Sequence, residues 1–374
     1  GNLDDITITA GSTTGTVSFT PTDDSVYEDD EAAVIAIDTV SGADATESGT
    51  QSVTVTITEN ESAPTVTLAV SATSIAENAG SSLTLTATLS VATTADVTVA
   101  LSTSGTATEG TDYTDGSGVI DDITISAGAT TGTVNFTPTD DSVYEGNETA
   151  TIAISSVSGG DASESGDQSV TVTITENESA PTVTLSVSAT SIAENAGTSI
   201  TVTATLSGAT DEAVTVALST SGTATEGTDY GSLSDITISA GATTGTTTFT
   251  PTDDSMYETS TDETATVAID TVSGGSATEN GTQAVTITIN ENESAPTVTL
   301  AASATSIAEN AGSSITITAS LSGTTSQDVT VSLSSSSTAT EGTDYGTVSD
   351  ITITSGSTSG TATFTPTDDS IYDA

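Results

Sequence analysis

One string, Phe-Thr-Pro-Thr-Asp-Asp-Ser, occurs four times in this chain and sets what it can fold into. Its aspartate pairs stand at Asp23/Asp24, Asp140/Asp141, Asp253/Asp254 and Asp368/Asp369. Three other strings keep the same step. Ser-Ala-Pro-Thr-Val-Thr-Leu begins at Ser62, Ser179 and Ser294, Ser-Ile-Ala-Glu-Asn-Ala-Gly carries Glu77, Glu194 and Glu309, and Gly-Thr-Asp-Tyr carries Asp112, Asp229 and Asp344. The period is 113 to 117 residues. A repeat of roughly 100 residues is a whole β-sandwich domain, whereas solenoid repeats run to about 20–45 residues.

Within each repeat, apolar and polar residues alternate with period two, the signature of half-buried strands. In 63–178 the pattern predicts strands over 65–75, 82–90, 97–103, 119–126, 132–138, 148–157 and 169–175. The expected fold class is all-β: tandem seven-stranded antiparallel β-sandwiches of immunoglobulin-like type in an extended array. Glu-Asn-Glu-Ser-Ala-Pro marks the linkers, with Pro64, Pro181 and Pro296 opening each new unit. The expected domains are 1–62, the back half of a unit; 63–178 and 179–293, complete units; and 294–374, the front two-thirds of another. The simplest expectation is a stretch of a longer array. Phe136 is the one large aromatic expected in the core of 63–178.

Composition narrows the function. The chain holds 52 Asp plus Glu and no Lys, Arg, His or Cys. No carboxylate can be neutralised by a side-chain cation, so clustered acids repel until protons, salt or a divalent metal arrives. Nucleic acid is excluded as a partner, because phosphate recognition rests on Lys and Arg. Without cationic residues there is also little attraction to an anionic membrane surface. No apolar run of about 18 residues exists to insert into a membrane.

Strand parity predicts where the acids fall. If successive strands run up and down, Glu77, Glu109, Asp112, Asp140, Asp141, Glu145, Glu148, Glu176 and Glu178 share one end of 63–178, joined by Asp115, Asp121 and Asp122. Asp96, Asp161, Glu164 and Asp167 fall at the other end and read as surface. Hard oxygen donors in this number suit calcium, which takes six to eight oxygens; magnesium keeps more water, and zinc sites normally include His or Cys. The same acids flank the linker, so a metal there would tie the linker to the loops and stiffen the array; without metal, repulsion should loosen the joints.

Thr-Ala-Thr-Glu-Gly-Thr-Asp-Tyr (Thr106 to Tyr113), the segment from Ile125 to Thr149 with its Asp-Asp pair and Glu145, and the Ile-Ala-Glu-Asn at Glu77 together resemble the Calx-β domain, once per unit along the whole chain. The resemblance implies a seven-stranded sandwich that binds calcium at its distal loops. It implies ligands at Glu77, Asp112, Asp140, Asp141, Glu145 and Glu176 or Glu178. The matching positions elsewhere are Asp23, Asp24, Glu28, Glu59 and Glu61; Glu194, Asp229, Asp253, Asp254, Glu258, Glu291 and Glu293; and Glu309, Asp344, Asp368 and Asp369. Two departures stand out. The third unit stretches Glu258 to Asp262-Glu263 by two residues, and the fourth ends Tyr372-Asp373-Ala374 with Asp in place of Glu.

Catalysis is not expected. Hydroxyl nucleophiles want a base such as His or Lys, and a carboxylate pair acting on sugars would want aromatic platforms that a chain without Trp lacks. The expected role is an extracellular, cell-surface structural or adhesive repeat protein forming a calcium-stiffened stalk or filament, with calcium and neighbouring repeats or copies of itself as partners. The alternative is an adhesin module recognising a polysaccharide or other surface through a Thr-rich strand face such as Thr54–Thr58.

Overall fold

The computed structural model describes residues 3–258 and 262–369 and divides into two compact units, Gly1–Glu178 and Ser179–Ala374. Every regular element among the described residues is a β-strand. Abundant Val, Ile and Thr favour that outcome, since branched side chains suit a pleated, half-buried surface.

In the first unit, residues 63–178 form two five-stranded sheets. One runs Ser163–Glu164, Thr65–Val70, Leu83–Leu89, Thr131–Pro138, Tyr113–Thr114; the other runs Ile123–Ile125, Val97–Gly105, Glu148–Ser158, Ser169–Thr175, Ser74–Ala76. Their inner faces supply one core that includes Val66, Leu85, Val99, Ile125, Phe136 and Ile152, each with no accessible surface. Alternation is strict: Leu83–Leu89 buries every second residue and leaves Thr84, Thr86 and Thr88 outside.

Three expectations change here. The first expected strand, 65–75, is two strands. Thr65–Val70 pairs antiparallel with Leu83–Leu89, and after a bend Ser74–Ala76 crosses to the other sheet and pairs parallel with Ser169–Thr175. The sheets are therefore not purely antiparallel; Ser163–Glu164 also pairs parallel with Thr65–Val66. The expected strand over 119–126 shrinks to Ile123–Ile125, since Asp121 and Asp122 add no apolar face. Finally, Phe136 is not the only core aromatic: Tyr113, 1% exposed, stacks on it with ring centroids 4.6 Å apart.

The rest of the first unit, before residue 63, contributes the hairpin Glu31–Ala36 with Ser52–Ile57. In the second unit, residues 179–293 repeat the two-sheet plan around a second core with Phe249 and Tyr230 stacked at 4.6 Å. Residues 294–369 form a three-stranded sheet, Val298–Ala302, Ile315–Leu321 and Ser359–Phe364, and the pair Val329–Val331 with Ile351–Ile353. Val298 and Leu300 are 45% and 57% exposed, whereas their counterparts Val66 and Leu68 are buried. Asp262 and Glu263 are described; the segment 259–261 and the terminal Tyr372-Asp373-Ala374 lie outside the described residues.

Candidate metal centre

The strand switch sets up the site. Because Ser74–Ala76 runs parallel beside Thr173–Thr175, the Glu77 N–H donates to Thr175 O at 3.0 Å, which brings Glu77 next to Glu176. Carboxylate oxygens of Glu77, Glu176 and Glu178 lie within 4.8 Å of one another. Glu77 is 7% exposed.

Glu176 is the hub. Its Oε2 accepts the Glu145 and Gly146 N–H groups at 2.6 and 2.8 Å, and its Oε1 accepts the Glu178 N–H at 2.9 Å. Its own N–H is held by Asn147 Oδ1 at 3.0 Å. The Asp140–Asp141 pair reaches the cluster through backbone: Asp141 N–H donates to Glu77 Oε1 at 3.2 Å.

A second group combines Asp112, Glu145 and Glu148, again with oxygens within 4.8 Å. Asp112 is fixed by its own turn, where its Oδ2 accepts the Thr108 N–H at 2.6 Å. Glu148 opens the long strand Glu148–Ser158, opposite Ile174.

The second unit reproduces both groups, as Glu194, Glu291 and Glu293 and as Asp229, Glu258 and Glu263. The hydrogen bonds follow suit: Asp254 N–H to Glu194 Oε1 at 3.1 Å, Glu258 N–H to Glu291 Oε2 at 2.8 Å, and Glu293 N–H to Glu291 Oε1 at 2.8 Å. At the start of the chain, Asp23, Asp24, Glu28, Glu31, Glu59 and Glu61 line one cleft; Glu59 accepts the N–H groups of Glu28 and, at 2.7 Å, Glu61. In the fourth repeat, Asp369 N–H donates to Glu309 Oε1 at 3.1 Å, Asp344 Oδ2 accepts the Thr340 N–H at 2.5 Å, and Asp368 shares a cleft with Glu309.

Not every acid at this end joins a group. Glu109 staples its own loop, accepting from Thr103 Oγ1 at 2.8 Å and from the Ile120 N–H at 2.6 Å. Asp122 accepts the Leu101 N–H, and Asp115 the Ser117 N–H. Glu148 and Glu263 belong to the groups but were absent from the expected ligand set. Their signal was available, because each is the first residue of a strand whose next inward residue is apolar.

The electrostatics express crowding without cations. Burial pushes the Glu77 carboxyl up to about 7, with Glu176 and Glu178 adding repulsion. Burial likewise raises Glu258 and Glu263 to about 7; repulsion from Glu263, Asp229, Asp254 and Glu291 adds to the first, and Asp229, Glu194 and Glu291 add to the second. Glu293 reaches about 7 chiefly because Glu291 holds a hydrogen bond to its protonated form, with burial second. For Glu176, burial acts upward, yet the N–H groups of Glu145, Glu178 and Gly146 prevail and the carboxyl lies below the ordinary range. Glu59, bonded by the Glu61 and Glu28 N–H groups, drops to about 2.

Do these residues fit a cation? Glu178 Oε2, Glu263 Oε2 and Glu293 Oε2 are buried and have no hydrogen-bond partner, although burying an unpaired charged oxygen is costly. The donors are all carboxylate oxygens, and two oxygens on opposite sides of a calcium ion stand about 5 Å apart. Oxygens within 4.8 Å of one another can close around one ion at such distances, so the groups are compatible with a hard cation such as calcium.

The fold and these centres define a class: tandem β-sandwich domains with repeated carboxylate groups at loop and strand ends. The chain belongs to the Calx-beta domain family, whose model matches residues 4–61, 59–178, 176–293 and 291–374. No curated protein matches the sequence. Among solved structures, similarity extends to CBD12 from CALX1.2, at 18% identity over 59% of this chain and 99% of that one, TM-score 0.27. The calcium binding domain CBD12 of CALX1.1 aligns at 16% identity over 58% and 96%, TM-score 0.26. Invasin, described as a bacterial integrin-binding protein, aligns at 17% identity over 81% of this chain and 55% of that one, TM-score 0.29. Among the described residues no helix is long and apolar enough to cross a membrane.

Proposed function

We propose that the chain is a calcium-binding, extracellular structural repeat protein, a stalk or filament body whose units correspond to 1–62, 63–178, 179–293 and 294–374. The observation that carries the reading is the set of buried, partnerless oxygens on Glu178, Glu263 and Glu293 inside carboxylate groups, in a chain with no cationic side chain. Calcium would be held by Glu77, Glu176 and Glu178, by Asp112, Glu145 and Glu148, and by their equivalents, with the Asp-Asp pairs adjoining. Each ion would neutralise charge that the fold otherwise confines at a cost. Binding would also join the linker acids Glu176 and Glu178 to the strand-end Glu77, adding stiffness along the array. We read the role as structural rather than catalytic, because the chain offers no His, Lys or Cys to serve as base or thiol nucleophile.

The test is calorimetric titration of the chelator-treated full chain with calcium and, separately, with magnesium. Saturable calcium heats with a rise in Tm, and a much smaller response to magnesium, support the reading. An absence of both at millimolar calcium sinks it.

A further inference from the structure

Each unit contains a joint between successive sequence repeats, and the two joints are built alike. In the first unit the two-residue strand Val26–Tyr27 pairs in parallel with Ala92–Thr93. In the second, Met256–Tyr257 pairs in parallel with Thr324–Thr325. The donor is always the apolar-Tyr step inside Asp-Asp-Ser-apolar-Tyr-Glu. The acceptor lies in the following repeat, just after the strand Leu83–Leu89 or Ile315–Leu321.

Neutral hydrogen bonds hold the second joint. Ser326 N–H donates to Tyr257 O at 3.0 Å, Ser326 Oγ to Glu258 O at 2.8 Å, and Thr324 Oγ1 to Ser255 O at 3.0 Å. In the first joint the Tyr27 hydroxyl adds a bond to Asp161 Oδ2 at 3.3 Å, which gives Asp161 a contact that its position in the sequence did not suggest. The acceptor strand is firmly backed. Thr93 and Thr325 are 1% and 7% exposed, their hydroxyls bond Ala95 O and Gln327 O at 2.6 Å, and their carbonyls accept from Gly128 and Gly356. Gly160 abuts Thr93 so closely that a Cβ would stand 2.9 Å from its side chain.

We propose that this contact is a homotypic docking interface: the Asp-Asp-Ser-apolar-Tyr-Glu segment of one repeat is an edge strand accepted by the next repeat of the same type, and it orients the pair without a metal ion. Strand addition of this kind reads backbone more than side chain. Accordingly Val26 and Met256 serve equally as donors, and Ala92 and Thr324 as acceptors. The occupant is fixed as another copy of the repeat because the donor residues lie within the repeated string. Its backbone and hydroxyl bonds in the second joint neither titrate nor require a cation. The inference therefore stands apart from the calcium reading, in which the ion adds stiffness at the linker acids.

The experiment uses the full chain. It has no cysteine, so Thr246→Cys and Thr361→Cys, both exposed positions, carry one spin label in each repeat of the second unit. Pulsed electron–electron resonance in chelator is expected to give one narrow distance peak. Ser326→Pro, which removes the N–H, is expected to lose that peak; Ser326→Ala, which keeps the N–H, is expected to retain it. A broad distribution in chelator that narrows only on adding calcium overturns the proposal, as does a Ser326→Pro protein that keeps the peak. Circular dichroism checks that Ser326→Pro remains folded; if it does not, the unsubstituted protein in chelator still decides. Calcium titration of the same samples separates the two ideas: no calcium response with the peak intact defeats the functional reading alone.

Discussion

Asp141 donates its backbone N–H to Glu77 Oε1 at 3.2 Å, across 64 residues of chain. The same bond recurs between Asp254 and Glu194. It fastens the Asp-Asp loop to the strand-end glutamate whose carboxyl burial has raised to about 7. Replacing that carboxylate by an amide keeps an acceptor for the N–H and removes a confined charge. Glu77→Gln is therefore expected to stabilise the chelator-treated protein at pH 8 by roughly 1–2 kcal/mol, part of the proton being shared with neighbouring acids. It should also reduce the calcium-induced rise in Tm. Urea unfolding in chelator and in calcium measures both; stabilisation together with an undiminished calcium effect would remove Glu77 from the site.

The raised groups dictate a pH profile with a definite sign. Glu77, Glu258, Glu263 and Glu293 reach about 7 in the folded chain, against about 4.3 for an unperturbed Glu. A folded-state pKa above the unfolded value means that their stabilising contribution is complete below about 4.3 and lost as pH rises through 7. Glu59, lowered to about 2, and the lowered Glu176 and Glu291 act oppositely, their contribution failing as pH falls. Metal-free protein should thus show its highest Tm in mildly acid solution and a falling Tm from pH 5 to 8. Saturating calcium should flatten that fall, since bound metal competes with protons for the same oxygens.

Glu148 and Glu263 provide a test of the second group. Each shares its oxygens with an aspartate of the Asp-Tyr turn and one further glutamate, and Glu263 Oε2 is buried without a partner. Glu148→Gln and Glu263→Gln together are expected to weaken calcium binding at one class of sites by about tenfold or more, a loss of about 1.4 kcal/mol or greater. Asp167→Asn, at an exposed position outside every group, should change nothing. Calorimetry that shows equal affinities in all three proteins would limit the metal centre to the Glu77 group.

Much of this architecture was legible because the repeat length and the period-two alternation report directly on domain size and buried faces. Parity placed Glu77, Asp112, Glu145, Glu176 and Glu178 at one end because loop position depends only on strand count. What parity cannot resolve is side-chain direction. Glu109 and Asp122 share that end yet bend back to bond Ile120 and Leu101 N–H groups, so they brace loops. Nor does alternation reveal a sheet switch: Thr65–Val70 and Ser74–Ala76 read as one strand, and only the parallel partner Ser169–Thr175 separates them. Tyr113 escaped for a related reason. It follows an acid in a polar turn, and its burial depends on Phe136, 23 residues later in the chain.

That stack ties the core to the candidate metal centre. Tyr113 lies on Phe136 at 4.6 Å with an interplanar angle of 20°, and Tyr230–Phe249 and Tyr345–Phe364 repeat the arrangement at 4.6 and 4.7 Å. Asp112 immediately precedes Tyr113, and its carbonyl accepts the Thr139 N–H at 2.9 Å just after the Phe136 strand. Removing the ring of Phe136 leaves a cavity under the turn that aims Asp112. Phe136→Ala is expected to cost about 3–5 kcal/mol in urea unfolding, and in the surviving folded protein to weaken calcium binding at the Asp112 group while sparing the Glu77 group. Tyr113→Leu, which keeps apolar volume but not the stacked ring, should cost less in stability and shift calcium affinity in the same direction. If both substitutions destabilise the fold with calcium affinities intact, the turn holds Asp112 by its own Thr108 and Thr139 bonds, and the aromatic pair serves packing alone.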